Sequence, residues 1–220
     1  MSRVFEDVQQ EKRQLKYNAD KCHVLRIGNK REKYTNEMKE HGTNNVTVLQ
    51  GAVLERDLGV NVDRELRFSR HIEIQVNKVN SILGLIRRSF EFLDAATMKT
   101  LFVALVRPHH EFCNVAWSHK LEKDKKLIEG VLRKATRVVP GFKGVAYEQR
   151  VERMKVSSMA YRRTRGDLIE TYKYTHGYYR NETLFALDTE GITRGHRFKI
   201  KKPRCNTTSC EAALFLSSRG

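Results

Sequence analysis

In the first third of the chain the apolar residues fall at alternating positions in short runs. Within KCHVLRIG, Cys22 and Val24 and, less regularly, Leu25 and Ile27 predict a strand that Gly28 ends. VTVLQG predicts a second strand over 46–49, and in ERDLGVNVDRELRFSRHI the residues Leu58, Val60 and Val62 alternate as a third. Residues 21–63 therefore predict a small antiparallel sheet. Gly59 interrupts the third strand; lacking Cβ, it suits a bulge, tight packing or the close approach of another backbone. The polar run 29–45 reads as a loop or hairpin, and the charged segment 1–17, with sparse apolar positions, as a short helix.

After Ser69 the period changes from 2 to 3.6. Ile72, Val76, Val79, Leu83, Ile86 and Phe90 share one helical stripe, with Ser69 as its expected N-cap. Asp94 is placed to cap a second helix whose apolar face is Met98, Leu101, Phe102 and Leu105, and Pro108 suits the first turn of a third running through Phe112 and Trp117. Leu127, Ile128, Val131, Leu132, Ala135 and Val138 stripe a fourth that stops before Pro140-Gly141, and Met159, Leu168, Ile169 and Tyr172 mark a fifth. The pattern thus predicts an α+β protein, mainly α: strands and a hairpin over 1–68, a helical bundle over 69–176, and a basic, weakly patterned segment over 177–220. No internal repeat, heptad array or low-complexity segment is present.

Charge narrows the function more than it narrows the fold. Lys and Arg exceed Asp and Glu by 16 over 220 residues. That excess favours a polyanionic partner, RNA or DNA first. No apolar run approaches the roughly 20 residues that span a bilayer, and the first ten residues lack a signal-peptide apolar block, so a membrane is not the expected partner and an intracellular location, nuclear or cytoplasmic, is. Cys22, Cys113, Cys205 and Cys210 have no disulfide-framework spacing, in keeping with a reducing compartment. Cys205 and Cys210 with His196, and His109 and His110 with Cys113, lack the paired short spacings of a zinc module. Buried thiols and surface histidines are the expectation for them, and no metal or other cofactor is expected.

No catalytic constellation stands out. Two-metal phosphoryl transfer needs clustered carboxylates, whereas Asp57 and Asp63 flank a strand among Arg56, Arg64 and Glu65 as the charged ends of a hairpin. Binding is better supplied. Lys125, Lys126, Arg133, Lys134 and Arg137 lie outside the apolar stripe of the fourth helix, and Arg150, Arg153, Lys155, Arg162, Arg163 and Arg165 continue the positive charge. Either these are solvated helix faces or they contact phosphates, and the overall charge favours phosphates. Tyr172, Tyr174, Tyr178 and Tyr179 are either core and surface residues or platforms on which bases stack.

Six segments, NADKCHVLRIG, ERDLGVNVDRELRFSRHI, NKVNSILGLIRRSF, LFVALVRPHHEFCNVAW, IEGVLRKATRVVPG and RRTRGDLIETYK, occur in the order found in reverse transcriptases of jockey-like non-LTR (LINE) retrotransposons. The chain resembles the C-terminal part of such an RNA-directed DNA polymerase over about residues 12 to 216. The resemblance implies the end of the palm, the thumb and the start of a C-terminal extension. The Mg²⁺-holding aspartates of the parent enzyme lie upstream of NADKC in that family, so the isolated chain is expected not to be an enzyme. On the same resemblance Leu58, Gly59 and Val60 correspond to the primer grip, Lys21 to the late-palm lysine that assists pyrophosphate departure, and the helical bundle to a thumb that holds an RNA–DNA template–primer duplex. The palm and fingers of a parent polymerase become possible partners. A cellular or domesticated basic helical protein that binds nucleic acid or acts as a scaffold, and a relic without function, are the alternatives. Two departures from the family pattern are His110, where an apolar residue is common, and Pro140, where a polar one is usual.

Overall fold

The computed structural model describes residues 2–6, 18–28, 34–39, 45–114, 116–117 and 121–179. The protein is mixed α and β and mainly helical, and the chain divides into two compact units, Met1–Leu66 and Arg67–Gly220.

The first unit contains short strands in three small sheets. β1 (Ser2–Glu6) runs parallel to β3 (Thr35–Lys39), which pairs antiparallel with β4 (Val46–Val48). β2 (His23–Leu25), preceded by a 3₁₀ turn over Ala19–Lys21, runs parallel to β5 (Gln50–Ala52). β6 (Leu54–Asp57) and β7 (Val60–Asp63) form an antiparallel hairpin. This corrects two expectations. Residues 2–6 are a strand where a helix was expected, and the sheet is not uniformly antiparallel. Both outcomes depend on pairing between segments distant in the sequence, to which a local period is blind.

The DLGV stretch is also reorganised. Asp57 pairs with Val60, which leaves Leu58 and Gly59 as a two-residue loop. Both have positive φ, 43° and 87°. A two-residue hairpin loop favours that conformation because its twist matches that of the flanking strands. Gly59 adopts it without a Cβ clash, whereas Leu58 does so as a β-carbon-bearing residue whose side chain is 84% exposed. Leu58 therefore belongs to the turn, and only Val60 and Val62 keep the alternation, with Val60 buried.

In the second unit α1 (Ser69–Ser89) buries Ile72, Val76, Val79, Leu83 and Ile86, the expected stripe, while Phe90 lies past its end and is exposed. Its N-cap is Phe68, in the left-handed region at φ 59°, and the Ser69 hydroxyl instead donates to Asp124 Oδ2 at 2.7 Å. α2 (Ala95–Leu101) begins as expected, with Asp94 Oδ1 accepting from the Thr97 N–H at 2.9 Å; those bonds hold the Asp94 carboxyl below its ordinary pKa.

α2 then widens into a π segment, Phe102–Val106, before α3 (Arg107–Glu111). Pro108 has no N–H to give a regular ladder, and the Arg107 N–H reaches back to the Phe102 carbonyl instead. The inserted register buries Val106 completely and leaves Leu105, expected in the apolar face, 46% exposed. α3 stops at Glu111, short of the expected run through Phe112 and Trp117. Trp117 is nonetheless buried: its indole N–H donates to the Phe112 carbonyl at 2.9 Å and its ring meets His71 edge-on at 5.0 Å.

α4 (Glu122–Val138) buries Ile128, Val131, Leu132 and Ala135. A 3₁₀ turn over Pro140–Phe142 and a short helix unsignalled by the period, α5 (Tyr147–Arg153), lead to α6 (Met159–Thr175). Ser158 caps α6 by accepting from the Tyr161 N–H at 3.2 Å. Only Met159 of its expected stripe is buried; Leu168, Ile169 and Tyr172 are exposed. The expected segment 177–220 lies outside the described residues from 180 onward.

Candidate nucleic-acid interface

The two faces of α4 organise the basic residues. While one face is closed into the core, Lys125, Lys126, Arg133, Lys134 and Arg137 are all exposed on the rest of the helix. They divide between two concavities.

Toward its C-terminus α4 faces the last turns of α1 across a groove of about 690 Å³, lined by Lys134 and Arg137 from one side and Arg87 from the other. Lys134 Nζ donates to Asn80 Oδ1 at 3.1 Å, which steers the ammonium toward the groove. Glu91 is the one carboxylate along it, so positive charge prevails. Arg87 was not among the candidates from sequence. It falls off the α1 stripe, and only the packing of α1 on α4 brings it opposite Arg137.

A second cleft of about 640 Å³ is walled by α3, α4, Tyr147 and the start of α6. Lys125, Lys126, Arg133, Arg162 and Arg163 all border it, but their surroundings differ. Arg162 grips Glu111 with two guanidinium nitrogens, Nη2 to Oε2 at 2.8 Å and Nε to Oε1, which raises its pKa. Arg163 lies 4.2 Å from the Trp117 ring centroid and donates to the carbonyls of Asn114, at 3.2 Å, and Trp117. Burial lowers its pKa to about 10, against the raising effect of Asp167. Arg162 and Arg163, expected to contact phosphates, are thus the ties that seat α6 on α3 and on the Trp117 loop. Arg133 stacks 4.0 Å from the Tyr147 ring centroid, and Lys125 pairs with Glu122 at 2.5 Å.

Two acidic or polar groups line this cleft without a basic-patch signal, and the sequence did not place either of them here. Glu129 accepts from the Tyr147 hydroxyl through Oε1 and from the Met159 N–H at 3.0 Å through Oε2, so one carboxylate anchors α5 and the N-terminus of α6 to α4. Burial first, and then that hydrogen bond, raise the Tyr147 pKa. His110 is 3% exposed, and neither ring nitrogen has a hydrogen-bond partner. Burial, aided by His109 and Arg163 and opposed by Glu111, lowers its pKa to about 4, so the ring is neutral at pH 7. The sequence offered it only as a surface histidine beside His109 and Cys113 and as a departure from the pattern of the proteins the chain resembles, and neither signal places it in the core.

The remaining candidates lie apart. Leu58, Gly59 and Val60 form the hairpin tip of the first unit, and Lys21 is exposed at the end of a 3₁₀ turn, not on a strand. Arg165 is exposed on α6. At the other end of α6, Tyr172 stacks on His176 with ring centroids 3.9 Å apart and Tyr174 lies 4.8 Å from Tyr179; Tyr172, Tyr178 and Tyr179 are exposed, so none of these three is core. Of the histidines and cysteines considered as metal ligands, His110 is buried and Cys113 exposed, whereas His196, Cys205 and Cys210 lie outside the described residues. Among the described residues no three His, Cys, Asp or Glu side chains come together as a metal site, and no helix is long and apolar enough to cross a membrane.

No protein-family model matches the chain, and no curated protein or solved structure does so.

Proposed function

We propose that the helical bundle of residues 69–176 acts as a thumb-like grip on a template–primer duplex of RNA and DNA, of the kind implied by the resemblance to jockey-like non-LTR reverse transcriptases. On this reading the chain holds nucleic acid and carries out no chemistry of its own. The observation that carries the proposal is the groove in which Lys134 and Arg137 of α4 face Arg87 of α1. Cations from two rigid helices, fixed by a shared core, suit phosphates along a duplex backbone better than the same charges on a loose segment. Such contacts bind without reading sequence. An RNA–DNA hybrid is the expected partner, with RNA or DNA alone bound through the same phosphates.

Replacing Arg87, Lys134 and Arg137 together by glutamine tests the grip. Affinity for a hybrid should fall regardless of sequence, and the log–log salt slope should drop by roughly 1 for each phosphate that is no longer neutralised. The exposed residues Lys21, Lys39 and Arg56 of the first unit, replaced by glutamine, provide a control of equal charge. Equal weakening in the two triple variants would leave only the net charge of the molecule as the attraction.

A further inference from the structure

The turn that joins α1 to α2 carries two phenylalanines beside the basic groove. Phe90, the first residue past α1, lines the groove and is 41% exposed, and Phe92 is 78% exposed. A single exposed apolar side chain is ordinary, but two aromatic rings within three residues, next to clustered cations, mark a surface that meets a ligand. The turn that presents them is fixed at both ends. Before it, α1 packs on α4; after it, Leu93 is buried and Asp94 caps α2 through the Thr97 N–H. The rings are therefore held in place before anything binds, which lowers the entropy lost on binding.

The groove separates its charge from its aromatic surface. Arg87, Lys134 and Arg137 carry the positive charge, whereas Phe90 is followed by Glu91, the one carboxylate among the described residues along it. A phosphate suits the cations and is repelled beside Glu91, so the aromatic side takes an uncharged part of the ligand. The volume of about 690 Å³ lies within the roughly 300–1,000 Å³ of ligand sites, more than a phosphate alone fills. A nucleotide has both parts, a phosphate for the cations and a flat base for a ring face. A peptide matches less well. The lining residues belong to helices and turns, which offer its backbone no strand edge, and Leu83 and Leu93, which would floor a site for an apolar helix, are buried.

We propose that Phe90 and Phe92 form a stacking platform for the bases of a single-stranded stretch that runs on from the duplex. This deepens the duplex grip and rests on it: the paired part lies against the cations, and the strand beyond the pairing sets its bases on the two rings. Stacking of this kind is indifferent to sequence, because every base has a π face. The groove then prefers a junction of paired and single-stranded nucleic acid to a fully paired end.

The experiment uses the full-length protein and three RNA–DNA hybrids of equal paired length: one blunt, one with a short single-stranded extension, and one whose extension is abasic, with the same phosphates and no bases. Affinity and salt slope are measured for the wild type, for Phe90→Leu with Phe92→Leu, and for Phe90→Tyr with Phe92→Tyr, with thermal unfolding of each. The wild type is expected to bind the ordinary extension roughly tenfold more tightly than the abasic one, as for one base stacked on an aromatic ring. The leucine variant should lose that difference, keep its affinity for the blunt hybrid within about twofold and leave the salt slope unchanged, since no phosphate contact is removed. The tyrosine variant should retain the difference. If the leucine double variant unfolds, the more exposed Phe92→Leu alone should reduce the difference. Equal wild-type affinity for the ordinary and abasic extensions overturns the proposal, as does a difference that survives the leucine substitutions. Tighter binding of an acidic, phenylalanine-containing peptide than of the extended hybrid also overturns it and assigns the rings to a protein partner. Failure of the grip itself reads differently: glutamine at Arg87, Lys134 and Arg137 then leaves blunt-hybrid binding no weaker than in the control triple variant, whatever the extensions show.

Discussion

His110 and Arg163 illustrate how a polar side chain is defined by its surroundings. The His110 ring is held near a pKa of 4, below the ordinary 6.5, so the unfolded chain takes up a proton between these values and the folded one does not. Stability is unaffected above pH 6.5 and falls as the pH drops from 6.5 toward 4, by at most about 1.4 kcal/mol per unit. His110→Phe should remove that decline, so that between pH 7 and pH 5 the wild type weakens by up to about 2 kcal/mol more than the variant in urea unfolding. Parallel declines would mean that the ring is protonated or solvated in the folded state. Arg163 reads as one more basic residue in RRTRGD, yet its plane lies on Trp117 and its donors reach two carbonyls. Arg163→Lys keeps the charge but removes the planar stack and the forked donors. It should lower stability by about 1–3 kcal/mol, read by thermal unfolding, with hybrid affinity unchanged once folding is accounted for. Sequence identified the cations of this region but could not separate Lys126 from Arg163, because the difference lies in which carbonyls and rings the fold brings to them.

Elements were legible where one face meets one core. The stripes of α1 and α4 show in the sequence because five and four buried apolar residues respectively recur at helical spacing. The same period failed at α2–α3, where the π segment resets it, and at α6, where Leu168 and Ile169 keep the spacing but face outward. The start of α1 was placed within one residue, but its cap was not. Ser69 has the residue type of an N-cap, but its hydroxyl is committed to Asp124, a buried residue from the first turn of α4. That bond joins the two helices that form the groove. Asp124 Oδ1 has no hydrogen-bond partner, so Ser69→Ala would leave both oxygens of a buried carboxylate unserved. The expected destabilisation is about 1–3 kcal/mol. A second substitution, Asp124→Ala, should recover part of it, a positive coupling measurable by a double-mutant cycle. Additive effects would show that the two side chains do not meet in solution.

At the scale of the molecule, the two units differ in how much apolar surface they bury. In the helical unit Ile72, Val79, Met98, Phe102, Val106, Trp117, Val131, Leu132 and Ala135 are each at most 1% exposed. Among the described side chains of the first unit, those buried are Asn36, Val60 and Leu66, while Val46, Val48, Val53 and Leu54 are exposed on or beside its strands. Fully burying a valine or leucine contributes roughly 1.5–3 kcal/mol, and sheets of two or three short strands are marginal without such burial. The strands should therefore open at lower free energy than α1 and α4. Hydrogen exchange on the whole chain is expected to show the amides of β6 and β7 exchanging faster than those of Val79 and Leu132. The exposed valines and unpaired strand edges should also promote self-association that grows with concentration, seen by sedimentation, and that Val48→Lys reduces. A non-associating chain with strand amides as protected as those of Leu132 would contradict the ordering. It would mean that a covering surface, from this chain or another copy, completes the first unit in solution.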